Sequence, residues 1–131
     1  MNRSIVLTLV GFLTIAPVMT AATAIGVQAQ TVDARKVEAD RLLEQGLQQY
    51  EASQFEAAMQ SWRQSLKLYR EIKDRRGEGK SLGNLGIVYY SLGNYSKTIE
   101  YHEQSLAIAR EIKDRQGEGT AIGNQIGRAH V

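Results

Sequence analysis

Cysteine is absent from the 131 residues, which excludes a disulfide framework, a thiolate metal site and a cysteine nucleophile. An excess of one charge sign is missing too. The formal net charge is +2, and acids alternate with bases in stretches such as Arg70-Glu71-Ile72-Lys73-Asp74-Arg75. No basic face for nucleic acid is therefore expected. Strand signals are weak everywhere after the first thirty or so residues, so the fold is expected to be all-α.

What is present begins with an export signature. Met1 to Ala29 opens with Arg3, continues through the apolar run Ile5 to Ile15, is broken by Pro17 and ends Val27-Gln28-Ala29. Small or apolar residues stand where a signal peptidase reads, so residues 1–29 are expected to be a signal peptide, with Gln30 the new N-terminus and 30–37 a linker. The expected location is periplasmic or secreted. The competing reading is an uncleaved anchor, because weakly apolar residues carry on to Val27, towards the ~20 residues that span a bilayer. Membrane contact is expected only in that case, and either way the rest of the chain lies outside the cytoplasm.

Shifting the chain against itself by forty positions aligns Gln64-Ser65-Leu66 with Gln104-Ser105-Leu106 and Arg70-Glu71-Ile72-Lys73-Asp74-Arg75 with Arg110-Glu111-Ile112-Lys113-Asp114-Arg115. Gly77-Glu78-Gly79 matches Gly117-Glu118-Gly119, and the register reaches back through Gly46 and Gly86, Tyr50 and Tyr90, Phe55 and Tyr95. Units are expected at 38–79 and 80–119, with the start of a truncated third at 120–125.

Within the second unit, Leu82, Leu85, Tyr89 and Leu92 step by three and four and predict the apolar stripe of a helix A. Gly93-Asn94 ends it, and Tyr95, Ile99, His102, Leu106, Ala109 and Ile112 predict the stripe of a helix B. Asp74 and Asp114 are placed to cap the helices that follow them, with Glu78 in the first turn. Gly83 and Gly86 inside helix A each cost about 1 kcal/mol against alanine, which calls for a close approach of helix B.

Leu85-Gly86, Tyr89-Tyr90, Leu92-Gly93-Asn94-Tyr95 and Ser105-Leu106 together resemble the tetratricopeptide repeat. Leu82-Gly83-Asn84 and the Arg-Glu-Ile-Lys-Asp-Arg-x-Gly-Glu-Gly connection resemble its forty-residue subclass, found in Leu-Gly-Asn repeat proteins and exported cyanobacterial arrays. Departures are Thr98, Ser65 and Ser105 where the family usually has alanine, and His102 where an aromatic is usual. In unit one, Gln45 and Gln49 stand at the family's leucine and tyrosine positions.

The resemblance implies a right-handed superhelical stack of antiparallel helix pairs whose A helices line a concave groove. The function implied is a protein–protein interaction scaffold holding a peptide or partner protein there, without catalysis, cofactor, metal or small-molecule substrate. Groove residues are expected to be Lys80, Asn84, Ile87, Tyr90 and Ser91, with Gln48 in the first unit. Asn84 is the sharpest of them, since a side-chain amide donates to and accepts from an extended backbone at once. Lys80 suits an acidic group on the ligand, although Thr120 replaces it one unit later. The alternatives are the recruitment region of a longer exported enzyme with a caspase-like protease domain downstream, and a membrane-anchored structural repeat protein.

Three patterns suggest chemistry and fail on context. Gly79-Lys80-Ser81-Leu82-Gly83 fits a nucleophile elbow, but no strand precedes it and Ala121 replaces the serine one unit on. A phosphate loop would need glycine where Asp74 stands. His102 falls at the position of Trp62, which predicts a packed ring between helices A and B.

The last residues, Ile126-Gly127-Arg128-Ala129-His130-Val131, break the register and back-translate into a commonly used sequencing adapter; they are expected to be a non-biological tail on a fragment of a longer protein. An array ending this way leaves its last helix pair uncovered, so self-association through that end is expected.

Overall fold

The computed structural model describes residues 21–129, which form five helices and, among the described residues, no strand. They are α1 (Ala21–Glu51), α2 (Phe55–Glu71), α3 (Arg75–Ser91), α4 (Tyr95–Glu111) and α5 (Arg115–Ala129). The signal peptide expected at 1–29 lies mostly outside these residues; its last part, 21–29, and the segment 30–37 belong to the continuous helix α1. No helix among the described residues is long and apolar enough to cross a membrane.

The first four helices end on the same device. Ser53, Lys73, Gly93 and Lys113, twenty residues apart, take φ of 60°, 59°, 74° and 56°. The amide after each reaches back to close the last turn: Gln54 N to Gln49 O at 2.8 Å, Asp74 N to Tyr69 O at 2.9 Å, Asn94 N to Tyr89 O and Asp114 N to Ala109 O at 2.8 Å. This six-to-one bond satisfies a carbonyl the helix leaves open. The next helix starts at once, with Asp74 accepting from Gly77 N, Asn94 from Lys97 N and Asp114 from Gly117 N. The helix pairs thus divide at Asp74 and Asp114, ahead of the boundaries read at 79/80 and 119/120.

Cross-helix ion pairs repeat in the same register. Arg35 meets Glu71 as Arg75 meets Glu111, Lys36 meets Asp74 as Arg76 meets Asp114, and Arg70 meets Glu78 as Arg110 meets Glu118. Arg35 and Lys36, assigned above to a linker, therefore lie within α1 at the positions that Arg75 and Arg76 hold in the first turn of α3.

The core joins Ala58, Trp62 and Leu66 of α2 to Leu82, Leu85 and Val88 of α3 and Ile108 of α4. Glycine permits the closest approaches. A β-carbon at Gly46 would stand 2.4 Å from the Trp62 Nε1, one at Gly86 2.6 Å from the His102 Cε1, and one at Gly77 2.2 Å from the Tyr69 ring. Gly83 differs: its β-carbon would meet only the Ser105 Oγ, at 3.5 Å, an ordinary contact, so no close approach explains that glycine.

Of the predicted stripes, Leu82, Leu85, Tyr89, His102, Leu106 and Ala109 are buried. Leu92, Tyr95 and Ile99 are not, with exposures of 40%, 62% and 55%. Leu92 is a C-cap and Tyr95 the first residue of its helix, where the stripe runs out of helix to pack on. The counterparts of Tyr95 and Ile99, Phe55 and Met59, rest on the core shared with α3.

Candidate functional site

Successive helices pack on one another, and α1 also touches α3 and α3 touches α5, whereas α2 and α4 do not meet. The stack therefore curves towards α1, α3 and α5, which line its inner side. A cavity of about 450 Å³ opens there, floored by Ile108 and Ile112 of α4 and walled by Lys80, Asn84 and Ile87 of α3 and by Thr120 and Asn124 of α5.

Helix B is tied under this surface by two serines that depart from the family's alanine. Ser65 Oγ donates to Ala39 O at 2.8 Å, and Ser105 Oγ donates to Gly79 O at 2.9 Å, equivalent bonds one unit apart. The Trp62 indole adds a bond to Leu43 O at 3.0 Å. Each fixes a helix B against a carbonyl of its own helix A.

The expected groove residues separate into two groups. Lys80, Asn84 and Ile87 share the cavity wall. Tyr90, Ser91 and Gln48 do not line it. Tyr90 packs edge-on against Tyr95, with ring centroids 5.7 Å apart, as Tyr50 packs against Phe55 one unit earlier. Ser91 Oγ bonds the Tyr50 hydroxyl at 2.9 Å and so joins α3 to α1 near their C-terminal ends. Gln48 is exposed, but its counterpart forty residues on is Val88, fully buried, so that column points towards the preceding helix pair and away from the inner curve. Asn124 was missed as a wall residue, although the register carries Asn84 directly onto it.

Charge on the inner face is partly neutralised. Lys36 pairs with Asp40 at 2.9 Å and Asp74 at 3.3 Å, and Arg76 lies 3.9 Å from Asp114. The buried Tyr69 hydroxyl donates to Asp40; burial first, then that carboxylate, push the tyrosine well above its ordinary pKa. Burial works upward on Asp40 as well, but hydrogen bonds from Tyr69 and Lys36 outweigh it and leave its carboxyl below the usual range. Ser81, the serine of the elbow-like pattern, is fully buried inside α3 against the Ser65 hydroxyl at 3.2 Å.

Paired helices in a forty-residue register, a glycine under each large helix-B ring and an inner face built from A helices coincide with a family match: the tetratricopeptide repeat matches residues 41–111. The chain belongs to the tetratricopeptide-repeat family. Neither a curated protein nor a solved structure matches it. Tetratricopeptide repeats generally mediate protein–protein interaction, and the tetratricopeptide-repeat helices here carry no strand-to-helix turn at Ser81 that would expose a nucleophile.

Proposed function

We propose that the chain is a scaffold that binds an extended peptide segment of a partner protein along the inner curve of α1, α3 and α5. The observation that carries this reading is the placement of Asn84 and Asn124, forty residues apart, on opposite walls of one cavity above an apolar floor. Each amide can satisfy both a donor and an acceptor of a passing backbone, and Ile108 and Ile112 offer a seat for one apolar side chain. Binding without chemistry, cofactor or metal is part of the reading.

The test is panning of the whole chain against a synthetic peptide array, followed by titration of the best binder into wild type and Asn84→Ala. Loss of about 1–2 kcal/mol in Asn84→Ala, with helicity unchanged, supports the groove; equal affinity places binding elsewhere.

A second reading concerns the far end. Tyr95, Ile99 and Ile122 are exposed there, whereas Leu82, the counterpart of Ile122, is 1% exposed under helix α4. We propose that this end self-associates, which sedimentation would reveal as a concentration-dependent mass that Ile99→Lys lowers. Export with cleavage after Ala29 completes the proposal, and the N-terminal sequence of the secreted protein tests it.

A further inference from the structure

Three columns of equivalent residues run across the inner face in the forty-residue register: Lys36, Arg76 and Gln116; Asp40, Lys80 and Thr120; Glu44, Asn84 and Asn124. Five of the nine are charged, and three of those are already answered within the fold. Lys36 and Asp40 pair with each other, Asp40 also accepts from Tyr69, and Arg76 faces Asp114. Glu44 on α1 and Lys80 on α3 have no ion pair within 4.0 Å among the described residues, and both are exposed; Lys80 acts on Asp40 through its field but makes no contact with it. The α5 positions of all three columns are neutral. Charge on the groove is thus ordered, negative at the first helix, positive at the second and neutral at the third, with the apolar floor between the second and third.

We infer that the groove selects its peptide by charge order: a basic side chain towards Glu44, an acidic one towards Lys80, and an apolar one beyond it over Ile108 and Ile112. The inference rests on the groove reading above and adds which sequence it takes. Packed helix axes lie about 8–10 Å apart, and an extended chain advances about 3.3 Å per residue. The basic and acidic side chains are therefore about three residues apart, with the apolar one a residue or two past the acid. Pairing across an exposed groove contributes little raw affinity but discriminates against the wrong order, because the reversed peptide brings like charges together.

The test uses the full chain and fluorescent synthetic peptides of one composition in an alanine background: Lys-x-x-Glu-x-Leu, its mirror order Leu-x-Glu-x-x-Lys, and the exchanged forms Glu-x-x-Lys-x-Leu and Leu-x-Lys-x-x-Glu. One of the first two is expected to bind about fivefold tighter than either exchanged form, with the ratio falling towards one as salt is raised. The ratio is expected to vanish in the double variant Glu44→Gln, Lys80→Gln and to invert in Glu44→Lys, Lys80→Glu, with circular dichroism checking that each variant keeps its helices. Equal binding of all four peptides, or a preference that survives the neutral double variant, overturns the charge-order inference and leaves the groove reading standing. Binding of none of the four, nor of any peptide on the array, overturns both.

Discussion

The imidazole of His102 covers Gly86 so closely that a β-carbon there would stand 2.6 Å from its Cε1, while Gly83, one turn earlier, has only an ordinary contact to Ser105 Oγ at 3.5 Å. Two glycines of one helix thus have opposite consequences. Gly86→Ala is expected to destabilise by about 1–2 kcal/mol, overpacking outweighing the helix-propensity gain. Gly83→Ala is expected to stabilise by up to about 1 kcal/mol. Urea midpoints of the two variants measured side by side check both signs.

The four helix stops differ only in side chain. Lys73 and Lys113 take the left-handed conformation that Gly93 takes at no steric cost. Lys73→Gly is expected to gain, and Gly93→Ala to lose, roughly 1 kcal/mol in the same urea assay.

Glu78 is buried, and two guanidiniums, from Arg70 and Arg75, converge on it, whereas Glu111 meets Arg75 at the surface. Glu78→Gln is expected to lower the urea midpoint more than Glu111→Gln, because the buried carboxylate loses two charge-assisted hydrogen bonds and the Glu111 pair is exposed. Raising the salt concentration is expected to shrink the Glu111 effect while leaving most of the Glu78 effect.

The Tyr69–Asp40 bond predicts pH dependence at both extremes. The Asp40 carboxyl is held below its ordinary value in the fold, so its contribution is present above the unfolded value near ~3.9 and is lost as pH falls through the folded one. The Tyr69 hydroxyl is held above its ordinary value, so its contribution is complete below about pH 10 and is lost as pH rises further. Urea midpoints across pH are expected to show a flatter alkaline decline in Tyr69→Phe and a flatter acid decline in Asp40→Asn.

The helices and their register were legible because identical residues recur forty apart and because three of the four turns carry a capping Asp or Asn. Gly83 and Gly86 were both read as close approaches and only Gly86 is one, since spacing along one helix does not say which ring of the neighbouring helix lies above it. Tyr95 and Ile99 read as core by periodicity and are exposed, because burial depends on what packs against the face and not on the face alone.

The candidate site divides in the same way. Lys80, Asn84 and Ile87 followed from the face of helix A opposite its apolar stripe, and they line the cavity. Tyr90, Ser91 and Gln48 do not: Tyr90 packs on Tyr95, Ser91 bonds the Tyr50 hydroxyl, and Gln48 lies in the column of the buried Val88.

From residues alone came the family, the helix pairing and Asn84 on the inner face, all consequences of local pattern repeated along the chain. Which charges remain unanswered on the inner face was decided only by the tertiary structure. Lys36, Asp40 and Arg76 find partners across helix gaps in Asp74, Tyr69 and Asp114, whereas Glu44 and Lys80 form no ion pair and Lys80 acts on Asp40 only through its field. No one-dimensional pattern records that difference, because a charge is neutralised by what stands beside it in space.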